Sequence, residues 1–338
     1  MKIHRDFYKQ SMRAVGIAAV GIFGVLSTLG SGGGGGDSNF SGNPPSSIKA
    51  FNFDANNTFT AAQLAATAMS FFPRFTAVRQ QIIDTLINST PGNSPFNLDA
   101  ICNGTGHAQL SWNDADGSGD LSQGDTLTLL LTGCDLDGSG ATVNGNIGFV
   151  VSSSVTITSP TAYSIPFTIS INLQINDTGS TTAIVGEFGD SLSTSDGNTY
   201  TDAFMGDVAA NQMLAVTEDG SSFLQFGCFN LTQVGVPNSG TYGLSASGVI
   251  NASNAILSLA SGPQLSFVSD NMESGTKRLL SSSVPDCATL GVPNGVADSD
   301  GSYIDMEALG GGNIRLHTFD STNSEIHTED TTYNALLN

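Results

Sequence analysis

Basic side chains are what this sequence has least of. Of 338 residues only ten are Lys or Arg, against thirty Asp or Glu, giving a formal charge of −20. Lys2, Arg5, Lys9 and Arg13 with Asp6 give residues 1–30 a net +3, so the rest of the chain carries −23 with six basic residues. Such a chain repels phosphate backbones and anionic lipid, which excludes nucleic acid as a partner. Histidine is almost as scarce, with His107, His317 and His327 beyond the N-terminal segment. The patterns HExxH, GK[ST], CxxCH and CxxC are all missing. Zincin proteases, P-loop NTPases, c-type haem attachment and zinc ribbons are thereby excluded. Long apolar runs are missing too. The longest, Ala14–Leu29, falls short of the ~20 residues of a membrane span.

What is present is glycine, serine, threonine, asparagine and aspartate, a composition suited to an exported surface protein. A hydrophobic share of 39% is enough to build a core. The N-terminus has the layout of a targeting segment: a basic stretch to Arg13, the apolar run, then small residues at Thr28 and Gly30. Residues 1–30 read as a signal peptide that is cleaved, with an uncleaved anchor as the alternative. Residues 31–48 are a Gly/Ser/Pro-rich linker. The layout resembles bacterial lipoprotein precursors, with Ser31 standing where the acylated cysteine would be.

Residues 49–338 read as a single β-rich domain. Ile165, Phe167, Ile169, Ile171, Leu173 and Ile175 alternate with polar residues, which predicts a strand with one buried and one wet face. Shorter runs near 146–157, 182–188, 198–206, 222–231, 241–250, 254–260 and 313–319 have the same character. The helical region is 60–88. It opens on a T-x-x-Q capping box at Thr60 and Gln63, and Leu64, Ala68, Phe71 and Phe72 share a face. Pro73 breaks or kinks it, and Phe75, Val78, Ile82 and Leu86 continue the stripe. The fold expected is mainly β, a large antiparallel sandwich or barrel-like sheet with an N-terminal helical hairpin against it.

The most informative segment is Asp114–Asp125, DADGSGDLSQGD. Asp114, Asp116 and Ser118 stand at positions 1, 3 and 5, Gly119 at 6, Asp120 at 7, Ser122 at 9 and Asp125 at 12. A hard cation needs six to eight oxygens around one point, and this spacing folds them inward. The twelve residues resemble EF-hand and dockerin-type calcium loops. The expected ion is Ca2+, held by the side chains of Asp114, Asp116, Ser118 and Asp125, the carbonyl of Asp120 and a water on Ser122. The other reading is a polar turn. The flanks, His107–Trp112 and Thr126–Thr132, are strand-like, which places the loop at a hairpin tip. Asp135–Gly140 and Asp298–Ser302 are less complete versions that read as turns.

The same hairpin orders the cysteines. With a tip near residue 119, cross-strand partners sum to about 238, and Cys102 with Cys134 gives 236. Cys102–Cys134 is the expected disulfide, and Cys228–Cys287 follows by elimination. The block Cys102–Cys134, with its W-N-D-x-D-x-x-G-x-L-S-x-G-D core, is similar to a motif in uncharacterised exported β-rich proteins of Gram-negative bacteria. That resemblance implies location at the periplasm or cell surface and names no activity.

Phe188–Ser193, FGDSLS, looks like the nucleophile block of GDSL esterases, with Ser191 as nucleophile. The block is flanked by strand-like sequence, and the D-x-x-H pattern that supplies that family's acid and base is missing. Trp112 reads as core and His107 as solvated, and His317 with His327 lack the regular ligand spacing that a metal pair needs. The function expected is therefore a calcium- and disulfide-stabilised structural or binding protein of the cell surface. Its partner would be an unidentified surface ligand or protein, and the alternative is a secreted esterase using Ser191. Mass spectrometry of the exported protein should find a mature N-terminus at or near Ser31 without lipid; a start at Met1 or an acyl mass would contradict it.

Overall fold

The computed structural model describes residues 48–337 apart from 88, 90–93, 137–139, 160, 178, 207–211, 219–221, 236–240, 253–254, 260–264 and 269–270. The expected signal segment and all of the linker but Ile48 lie outside the described residues, as do the side chains of some positions within elements.

The chain opens with β1 (Lys49–Ala50) and α1 (Thr58–Ile87), then β2 (Phe96–Asn97), β3 (His107–Asn113), β4 (Thr126–Cys134) and β5 (Thr142–Val151). Next come β6 (Thr156–Ser159), β7 (Ala162–Asp177), β8 (Ser180–Thr194), β9 (Tyr200–Met205), β10 (Met213–Glu218) and β11 (Ser222–Gly235). They are followed by β12 (Thr241–Ala252), β13 (Ala255–Leu259), β14 (Leu265–Val268), β15 (Asn271–Ser274) and β16 (Thr276–Ser281). The last elements are β17 (Tyr303–Gly310), β18 (Asn313–Phe319), β19 (Glu325–Thr332) and the short helix α2 (Tyr333–Leu336).

These nineteen strands belong to one sheet, antiparallel except where β1 runs parallel to β13. The path runs β2-β3-β4-β5-β7-β8 through neighbouring antiparallel pairs. The long β8 then pairs with β10 along Thr182–Glu187 and with β9 along Gly189–Thr194. Both of those strands pair with β11, and β11 with β12. From β12 the path goes through β13, β16, β17 and β18 to β19.

The mainly β architecture expected from the alternation is present. Along β7, Tyr163, Ile165, Phe167, Ile169, Ile171, Leu173 and Ile175 are all buried, while Ser170, Asn172 and Gln174 are exposed. Along β3, Ala108, Leu110 and Trp112 are buried between exposed His107, Gln109, Ser111 and Asn113. The outward faces of β3 and β7 are thus mainly amide, hydroxyl and imidazole. Among the described residues no helix is long and apolar enough to cross a membrane.

The helical segment departs from expectation first in its course and then in its burial. It is one continuous element through Pro73 rather than a hairpin, and it starts two residues before Thr60. Asp54 and Asn57 organise that start, with Asp54 Oδ1 accepting from the N–H groups of Asn56 and Asn57. The second departure is burial. Ala61, Ala62, Leu64, Ala65, Ala66, Ala68 and Met69 are all buried, together with Gln63 and Thr67, so this half of α1 is enclosed on every side. Small alanines allow strands to approach the helix all round. Further on, Phe72 touches Phe188, Phe204, Phe226 and Phe229, and Phe75 touches Phe149. At the helix start, Thr58 Oγ1 lies 2.6 Å from Thr318 Oγ1 on β18. One helix reaches strands from β5 to β18 only because the sheet curls around it. A Pro inside a helix costs about 3 kcal/mol, and α1 runs through Pro73 nonetheless. The side chains of Phe71 and Val78 lie outside the described residues.

Both expected disulfides are present, Cys102–Cys134 and Cys228–Cys287. In the β3–β4 hairpin every cross-strand pair sums to 239, from His107↔Thr132 to Asn113↔Thr126, one residue from the expected register. Cys102 closes a short 3-10 turn, Asp99–Cys102, and Cys134 ends β4. Gly106 permits the approach of the two, because a Cβ there would lie 2.1 Å from the Gly133 carbonyl oxygen.

Phe72→Ala tests the enclosed helix. Removing a fully buried ring that packs on four others should cost roughly 3–5 kcal/mol in guanidinium unfolding with the disulfides intact. A loss within about 0.5 kcal/mol, usual for a surface position, would contradict the enclosure.

Candidate calcium loop

Asn113↔Thr126 is the last pair of the β3–β4 ladder. The twelve residues Asp114–Asp125 are therefore the connection itself, with no residue to spare on either side. Gly119 sits at the tip with φ +83°, in the left-handed region that position 6 requires.

The loop is organised by its own carboxylates. Asp114 Oδ1 accepts from Gly117 N at 2.8 Å and Asp114 Oδ2 from Gly119 N at 2.8 Å. Asp116 Oδ1 accepts from Ser118 N at 2.9 Å and Asp116 Oδ2 from Ser122 Oγ at 3.0 Å. Asp125 is fully buried and ties the loop's ends together. Its Oδ1 accepts from Ala115 N at 2.9 Å, and its Oδ2 from Ser122 N at 3.0 Å and Trp112 Nε1 at 3.3 Å. Trp112 is buried, as expected, and its indole N–H is the link from core to loop.

These bonds bring carboxylate oxygens of Asp114, Asp116 and Asp125 within 4.8 Å of one another. No basic side chain among the described residues forms an ion pair with the three. Ser118, through its side chain and then its backbone N–H, and Ser122 Oγ hold the Asp116 carboxyl down at about 2. Asp116 is thus ionised throughout the neutral and mildly acidic range, and its charge is lost only as pH falls through that value. A hard cation suits the Asp114 and Asp116 oxygens that accept a single hydrogen bond and so keep a lone pair for a metal, whereas Asp125 Oδ2 already accepts two N–H groups and serves the loop's own closure first. The other residues of the pattern are placed less directly. Ser118 Oγ donates to the Asp120 carbonyl oxygen at 3.0 Å, so the two expected ligands at positions 5 and 7 are bonded to each other. Ser122 reaches the set through Asp116.

The other sequence candidates are dispersed. Asp135 is buried and its Oδ2 accepts from Gly140 N, while residues 137–139 lie outside the described residues. Asp298 Oδ1 accepts from Ala50 N, and Asp300 Oδ1 from Ser302 N, Ser302 Oγ and Ser282 Oγ. That loop fastens the start of the domain to β16 and β17. His107 is 73% exposed and lies beside Asp99. His317 sits between Glu307 and Glu325 on the outer face, whereas His327 is cross-strand to buried Thr318, so the two histidines project from opposite faces. Ser191 lies within β8, half-buried, with Pro166 and Ala203 as cross-strand neighbours. The aspartate beside it, Asp190, points the other way, into the interior against Arg79.

Asp125 and Asp114 should separate in the presence of chelator. Asp125→Ala leaves buried N–H donors without an acceptor and should cost about 2–4 kcal/mol, at 1–3 kcal/mol per orphaned group. Asp114→Ala, in the solvent-facing half of the loop, should cost under ~1 kcal/mol. Equal losses in urea unfolding would remove the structural role assigned to Asp125. No family model, no curated protein and no solved structure matches this chain.

Proposed function

We propose that this chain is an exported structural or binding protein of the cell surface, held in shape by two disulfides and by calcium in the loop Asp114–Asp125. The observation that carries the reading is the convergence of the Asp114, Asp116 and Asp125 carboxylates at a hairpin tip. Three like charges so close, without a basic neighbour among the described residues, are relieved by a divalent cation. The loop's own N–H and hydroxyl groups pre-organise the oxygens, so less ordering is left for binding to supply. Two disulfides and amide- and hydroxyl-rich outer faces fit an oxidising, aqueous location outside the cytoplasm. The chain's excess of negative charge fits a neutral or cationic ligand and disfavours polyanions. A catalytic role has less to stand on, because Ser191 lies mid-strand and the described histidines are engaged with other carboxylates.

Calcium that binds the folded state alone should add about 2.7 kcal/mol at roughly 100 times its dissociation constant. Wild-type protein should melt higher in calcium than in chelator, and Asp114→Ala should lose most of that difference. Coincident wild-type melts, with no heat of binding at millimolar calcium, would make the loop an acidic turn and remove the proposal's main support.

A further inference from the structure

The interior holds a second charged cluster. Arg79 on α1 is fully buried, and its guanidinium is paired on one side with Asp190 of β8 and on the other with Asp202 of β9. Asp190 is 3% exposed and Asp202 is fully buried. The ring of Phe204 lies under the guanidinium, 5.4 Å from its centre. Thr76 Oγ1 donates to Asp202 Oδ2. Gln233 of β11, 2% exposed, donates through Nε2 to the Tyr200 hydroxyl at 2.6 Å. Tyr163 is the other phenol near this stretch of the helix, bonded by Gln80.

The charges do not cancel. One guanidinium faces two carboxylates, and the remaining neighbours named above are aromatic, hydroxyl or amide. An uncompensated charge in such a place is costly, and a buried carboxylate relieves it by binding a proton. The hydrogen-bond pattern has room for that proton. Asp190 Oδ1 and Asp202 Oδ1 are both buried without a hydrogen-bond partner. We infer that Asp190 and Asp202 hold one proton between them at neutral pH, so that Arg79 and its two partners form a neutral proton-binding site inside the sheet.

Burial pushes the Asp202 carboxyl up, against the opposing pulls of Arg79 and Thr76. Burial, and then the nearness of Asp202, pushes the Tyr200 hydroxyl up to about 12, so neither fact calls for a charged phenol. Gln233 and Thr76 connect half-buried Tyr200 to Asp202, with Thr76 Oγ1 at 3.4 Å from Gln233 Oε1. Because the folded state binds the proton more tightly than the unfolded chain, the cluster's contribution to stability is complete in acid. It is lost as pH rises through the folded-state value.

The test is the proton balance of unfolding, measured on the whole protein in calcium, where the loop stays loaded. Guanidinium unfolding of wild type in unbuffered solution near pH 8 should release about one proton more than Asp190→Asn or Asp202→Asn, because either amide leaves Arg79 a single ionised partner. Equal release from wild type and a folded variant would overturn the proposal. Should neither variant fold, native wild type alone decides the matter by infrared spectroscopy. A protonated-carboxyl carbonyl band at neutral pH that fades as the pH is raised is expected, and its absence would overturn the proposal. Failure of calcium binding would leave both readouts unaffected.

Discussion

The buried contact of α1 with the inward faces of the sheet is what the rest of the structure depends on, since the helix and the strands around it share one core. The helix needs no polar face where it is enclosed, and its run of alanines between Leu64 and Met69 lets strands close in from several directions. The aromatic cluster of Phe72, Phe75, Phe188, Phe204, Phe226 and Phe229 joins helix to sheet and makes one continuous core. Most other features follow from that packing. The strands can afford wet outer faces because the cohesion lies inside.

The hairpin β3–β4 attaches to this core at both ends by different means. At its base the Cys102–Cys134 bridge ties a 3-10 turn to the end of β4. At its tip Trp112 sits in the core and donates to Asp125, so the acidic loop hangs from a buried hydrogen bond. A cation in the loop would therefore act on groups already linked to the interior. The C-terminal edge is built differently. β19 has no fully buried residue and carries Glu325, Glu329 and Asp330, charges that discourage pairing with another chain's edge.

Much of this was legible in the sequence, and the legible parts share a cause. Period-2 alternation is a local property, so β7 and the hairpin register could be read directly, and the register in turn gave the disulfide. The loop could be read because metal-ligand spacing is also local. Strands such as β19, EIHTEDTT, escaped because an edge strand without a dry face has no alternation to show. The helix itself could be read, but its enclosure escaped, because burial on all sides depends on strands more than a hundred residues away. The interior ion cluster has a sequence signal of its own. Arg79 falls on the stripe of Phe72, Phe75, Ile82 and Leu86, and Asp190 shares the inward parity of Phe188 and Leu192. A charged residue on an apolar stripe, matched by acids at inward strand positions, is what a buried ion cluster looks like in one dimension. In the sequence Asp190 also falls within the esterase-like FGDSLS block beside Ser191, which obscures its inward parity.

The place of α1 in the chain sets the order in which the molecule can be made. The helix precedes the strands that surround it, and its first residue, Thr58, meets a partner 260 residues later, at Thr318. On a chain that emerges N-terminus first, the most apolar helix is finished long before the last wall of its enclosure exists. Until β18 arrives it must wait with its surface uncovered, and contacts so distant in sequence form slowly. The vulnerable period of this protein is therefore its assembly rather than its mature life, and that period lengthens with every residue inserted between helix and final strands.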